Sequence, residues 1–193
     1  MSERMNEKTG GESGETGWEN VDDFAPDAEK VKDSRYMEGY HPYGLDVVDL
    51  NRIDLGTQEG RYDFALSLAE NRVAVYTERM KAVEEEDFDK IRDEESVKYN
   101  GQADFVIEDE VKAELEMAEI EKTIMENLDF SEASVIQALQ KKFDEYAKKS
   151  AAEGVSERAR ERFYKMSRAA DNLRATLVAE VRERKEASKR QAA

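Results

Sequence analysis

From Tyr62 onwards the apolar side chains keep a helical step. Tyr62, Leu66, Ala69, Val73, Tyr76, Met80 and Val83 succeed one another at intervals of 4, 3, 4, 3, 4 and 3, the seam of a helix that buries one side against a neighbour. Phe64, Leu68 and Val75 widen that stripe, as a broadly buried helix requires. The stepping predicts a helix from Arg61. It fades at Glu84-Glu85-Glu86-Asp87, with Phe88 and Ile91 carrying it to about residue 95.

Few helix breakers occur in the rest of the chain. No proline occurs after Pro42, and after Gly60 only Gly101 and Gly154 remain. Asn100-Gly101 reads as a tight turn, because both residues accept positive φ, linking two antiparallel helices. A second helix is expected from Glu108 to Asn127, with Ile107, Val111, Leu115 and Ala118 on one stripe and Ala113, Met117, Ile120, Ile124 and Leu128 on another. A third is expected to begin at Ser131 as N-cap, facing inward through Ile136, Leu139, Phe143 and Tyr146 and ending before Gly154. Ser156 caps a fourth, whose Ala159, Phe163, Met166, Ala170, Leu173 and Leu177 again step 4, 3, 4, 3, 4, with Val181 beyond.

The first 60 residues are different. They hold eight of the ten glycines and both prolines, which divides the chain into an extended arm (1–60), a helical domain (61–181) and a charged tail (182–193). Residues 1–17 carry almost no apolar side chain and are expected to be disordered in isolation. From Trp18 to Leu55 apolar residues are scattered among acids without helical period, and Leu45–Leu50 has the look of a short strand. Two readings stay open for this arm: ordering against a partner, or packing as a long loop on its own domain. The fold expected is all-α, with long amphipathic helices forming antiparallel hairpins or a bundle behind the arm.

Charge separates along the chain. Asp and Glu number 46 against 30 Lys and Arg, yet the excess is not uniform: residues 1–60 carry −9 and 61–130 carry −12, while 131–193 carry +5. Such asymmetry points to interaction surfaces. No stretch approaches the ~20 apolar residues of a membrane span, so no membrane insertion is expected, and no apolar segment near the N-terminus suggests a secretory signal.

Catalytic chemistry finds few footholds. Without cysteine there is no thiolate zinc site, iron–sulfur cluster or Cys nucleophile. The single histidine, His41, lies in His41-Pro42-Tyr43-Gly44 with no nucleophile turn beside it. No Glu-x-x-His pair supports a di-metal bundle. Asp87, Asp89 and Asp93 approach a calcium-loop spacing but lack its glycine and fall in a helical pattern. Gly10-Gly11-Glu12-Ser13-Gly14 comes after no strand and lacks the phosphate-binding lysine. No metal or cofactor is expected.

Two segments suit macromolecular contact. Trp18 and Phe24 sit among acids, as an anchor docking in a basic-rimmed apolar groove would. The last helix combines an apolar stripe (Phe163, Met166, Leu173, Leu177) with arginines Arg158, Arg162, Arg168 and Arg174. Interleaved Glu157, Glu161, Asp171, Glu180 and Glu183 repel phosphate, so protein is favoured over nucleic acid as its partner. The expectation is a non-enzymatic structural or assembly subunit of a large complex, acting on other subunits with self-association as a further contact, in the cytoplasm or within a virion. Its organisation is similar to that of capsid scaffolding and minor structural proteins, a likeness of layout that does not itself establish function. The alternative is a soluble regulatory adaptor whose basic helix meets nucleic acid.

Overall fold

A computed structural model describes residues 44–94 and 96–192. Trp18, Phe24, His41, the Gly10–Gly14 run and the disorder expected of residues 1–17 lie outside the described residues. Within them the chain is all-α. A 3-10 turn, Leu50–Arg52, precedes α1 (Gln58–Glu84), α2 (Phe88–Glu94), α3 (Ser96–Tyr99), α4 (Asp104–Glu126), α5 (Val135–Ala151) and α6 (Glu157–Gln191). α1 pairs with α4 and α5 pairs with α6, and the two hairpins join where α4 lies against α6. One apolar core runs through both.

Helix ends obey the local chemistry. Thr57 caps α1 by accepting from the Gly60 N–H, and Ser156 caps α6 at the Ala159 N–H, as its sequence position predicts. α1 stops at Glu84 rather than running on towards residue 95, because four successive acids collect at the negative end of its dipole. The chain then turns through Glu86 at φ 58°, and Asp87 accepts from the Lys90 N–H to start α2. The third long helix begins after Ser134, not Ser131. Asp129 takes the backbone and hydroxyl of Ser131, while Ser134 and Gln137 complete a reciprocal capping box. Gly101, at φ 77°, makes the turn expected of Asn100-Gly101.

α6 is longer than its apolar pattern. With 35 residues it extends about 52 Å, so residues 182–191 are helix rather than a separate tail. Pairs Arg184–Glu180 and Arg190–Glu186, each one turn apart, support those last turns.

The arm's end is part of the core. Val47, Leu50 and Leu55 are buried, and three side chains from the helices hold the backbone between them. Asn71 of α1 donates to the Val48 carbonyl (2.8 Å) and accepts from the Val48 N–H (2.9 Å). Arg61 donates to the Leu55 carbonyl at 3.0 Å, and Arg184 of α6 donates to the carbonyls of Leu50 and Ile53. The strand expected at Leu45–Leu50 is absent because these side chains, not a second strand, satisfy its backbone groups. Gly60 permits the approach: a Cβ there would lie 1.7 Å from the Asp54 carbonyl oxygen.

The arm covers one flank of α1 and α4 the other, so α1 is buried on a broad face, and Ala69, Tyr76 and Val83 of the expected seam are buried together with the residues that widen it. Phe64, Leu68, Val75 and Ala82 are buried, whereas Tyr62, Leu66, Val73 and Met80 are half-buried. Replacing Phe64 by Ala should therefore cost about 3–5 kcal/mol of folding stability. Leu66→Ala should cost less than half as much. Urea denaturation of the two variants measures both.

Candidate interaction surfaces and the polar cluster that positions them

α4 is held between its neighbours by a buried charge. Glu121 has no solvent exposure. Arg72 of α1 reaches both its oxygens, at 2.7 and 2.5 Å, and meets Glu114, two turns earlier on the same side of α4, at 3.0 Å. Asn172 of α6 lies beside the same carboxylate and favours its charged form. One Glu thus touches three helices. Burial pushes its pKa up to about 7, against the pull of Arg72 and with a further push from Glu114.

Arg79 performs a similar task at the other end of α1. It is 1% exposed, lies with its guanidinium 5.0 Å above the Tyr76 ring, and brings Nε to 3.7 Å from the Glu94 carboxylate of α2. Tyr62 ties the opposite ends of α1 and α4, donating to the Met125 carbonyl at 3.1 Å and stacking on Phe130.

With the helices so placed, a groove of about 590 Å³ opens between α4 and α6. Ile120 and Met166 give it apolar lining, and Glu116, Glu119, Arg158, Glu161, Arg162 and Lys165 surround them. Lys165 bonds Glu116 across it at 2.7 and 2.9 Å. Arg158 and Arg162 are exposed one turn apart, and their side chains have no ion pair or hydrogen bond among the described residues.

The four arginines singled out from the sequence do not share one face. At about 100° per residue, Arg158 and Arg162 point together, Arg168 lies well to one side, and Arg174 lies nearly opposite. Arg168 is exposed, while Arg174 is drawn to Asp171 at 2.7 Å. The apolar residues divide too. Leu173 and Leu177 are buried in the chain's own core and are not surface contacts. Met166 lines the groove, and Phe163 is half-buried, its ring 5.8 Å from the Lys149 ammonium of α5.

A second surface has no counterpart among the contact residues expected from the sequence. Phe105, at the start of α4, is 68% exposed and stands beside Met80, Val83 and Phe88 in a shallow depression. Glu84, Glu86, Asp104 and Glu108 edge it, so it is an aromatic knob in an acidic surround. Asp104 is engaged by Arg92, and Glu108 by Lys112. Its signal in sequence is phase: Phe105 precedes the Ile107–Val111 stripe by two residues and so cannot share its face.

No known protein family, curated protein or solved structure matches the chain. Among the described residues no group of three or more His, Asp or Glu side chains is arranged to hold a metal ion, and no helix is long and apolar enough to cross a membrane.

The buried carboxyl has a pH consequence. Glu121 binds its proton more tightly in the folded chain (about 7) than unfolded (4.5), so its contribution to stability is full below pH 4.5 and is lost as pH rises towards 7, a swing of about 3 kcal/mol. Stability of the wild type minus that of Glu121→Gln, measured by urea denaturation at several pH values, should fall across this window and level off above it.

Proposed function

We propose that the chain is a non-enzymatic structural or assembly subunit that works through protein–protein contacts. The observation that carries this reading is the pair Arg158 and Arg162. Two arginines one turn apart, without side-chain partners among the described residues, stand at an apolar-lined groove between two fixed helices. Arginine beside buried apolar surface is the composition of an interface that awaits a partner with acids and an apolar anchor.

A polyanion fits the same place poorly. Glu116, Glu119 and Glu161 line the groove with the arginines, and each repels a phosphate backbone while leaving a mixed-charge protein surface free to match them. The adaptor reading therefore ranks second. A scaffolding or minor structural role in a capsid is a finer version of the first reading, supported by layout alone.

Arg158→Glu together with Arg162→Glu should leave the helical content unchanged and expel the chain from its native complex, with an effect that weakens as salt rises. Gel filtration of the native complex, with tagged wild type and variant compared, reads this out. Wild-type chain that runs free in its source cells, or that binds RNA or DNA at physiological salt through these arginines, overturns the reading.

A further inference from the structure

The acidic knob and the arginine-rimmed groove lie on one stripe of α4. Phe105, Lys112, Glu116, Glu119 and Thr123 are all exposed and step by 7, 4, 3 and 4, so they project to the same side of the helix. Phe105 marks one end and Glu119 the other, about 21 Å apart at 1.5 Å per residue. Lys112 stands midway. The knob has what the groove lacks: an aromatic side chain that nothing among the described residues covers, and acids in excess. Glu84 and Glu86 beside Phe105 have no side-chain partner among the described residues, as Arg158 and Arg162 beside the groove have none.

We propose that this face binds a second copy of the chain about a two-fold axis near Lys112, with the Phe105 knob of each protomer seated in the α4–α6 groove of the other. Antiparallel apposition of two α4 helices brings both ends into register at once, which is the self-complementarity a two-fold interface demands. Phe105 then meets Ile120 and Met166, while Glu84 and Glu86 approach Arg158 and Arg162. The two Lys112 side chains nearest the axis are each neutralised by their own Glu108. The inference rests on the assembly reading and names one partner within it.

Sedimentation velocity on the purified full chain over a concentration series tests it. The wild type should reach twice the chain mass and fall back to monomer as salt rises. Phe105→Ala removes only an exposed side chain and should raise the dissociation constant roughly 30-fold, the scale of a central aromatic anchor. The Arg158→Glu/Arg162→Glu variant should be monomeric alone, and so should Glu84→Lys/Glu86→Lys. Mixing the two should restore a dimer, since both contacts then pair opposite charges. Circular dichroism confirms that each variant keeps its helices. A wild type that stays monomeric, a dimer indifferent to these changes, or open-ended polymers instead of a dimer would overturn the proposal. A monomeric chain whose Arg158/Arg162 variant is nonetheless expelled from the native complex would remove the second copy and leave the assembly reading standing.

Discussion

A carboxylate sealed from water sits where α1, α4 and α6 meet, and the placement of the other elements depends on its partners. An unpaired charge there would cost several kcal/mol, so Glu121 has to meet Arg72 and Asn172 together. Those contacts fix α4 in rotation and in height. Apolar packing tolerates small slides of one helix along another, whereas a guanidinium that holds Glu121 with one nitrogen and Glu114 with the other does not. The outer stripe of α4 inherits that precision, and both candidate surfaces are built on it.

The same device recurs where the chain would otherwise be loosely held. Arg61, Asn71 and Arg184 bind the arm by its carbonyls and one N–H, substituting side chains for a sheet partner. Arg79 locks α2 to α1. An apolar content of 39% gives limited core, and buried polar side chains supply direction where hydrophobic contact alone would not. Charges left over from this internal pairing are exposed in two places: acids around Phe105, and Arg158 and Arg162, with Glu119, beside Met166.

The helices are legible in the sequence because 3.6-residue periodicity survives in Leu, Val, Ile and Ala regardless of context, as are the Ser156 cap and the Asn100-Gly101 turn. Boundaries are less so. Ser131 and Ser134 are equal as candidate caps until Gln137 and Asp129 are weighed, and the four exposed acids at Glu84–Asp87 mark the end of α1. The apolar pattern finds the broad buried face of α1 but not Asn71 and Arg79, which are buried with it, because polar residues do not register in such a pattern. For the same reason neither the Glu121 cluster nor the arm clamp is visible in sequence: apart from Arg61 and Leu55, each joins residues tens of positions apart. Of the expected contact residues, Arg158, Arg162 and Met166 share a groove, whereas Leu173 and Leu177 lie in the core. Phe105 is marked as exposed only by its phase against the Ile107–Val111 stripe, a signal that needs the start of α4 to be known first.

A double-mutant cycle on Arg72 and Glu121 tests the dependence of the fold on this contact most directly. Folding free energies of wild type, Arg72→Met, Glu121→Leu and the double variant would be measured at pH 8, where Glu121 is ionised. Arg72→Met should cost about 3–5 kcal/mol, because it strands the buried Glu121 charge, and Glu121→Leu only about 1–2 kcal/mol, because Arg72 keeps Glu114. The double variant should lose no more than Arg72→Met alone, leaving a coupling of at least ~1 kcal/mol. Single costs below ~0.5 kcal/mol, or costs that simply add, would show that α4 is positioned by its apolar face alone and that the Arg72–Glu121 contact is incidental.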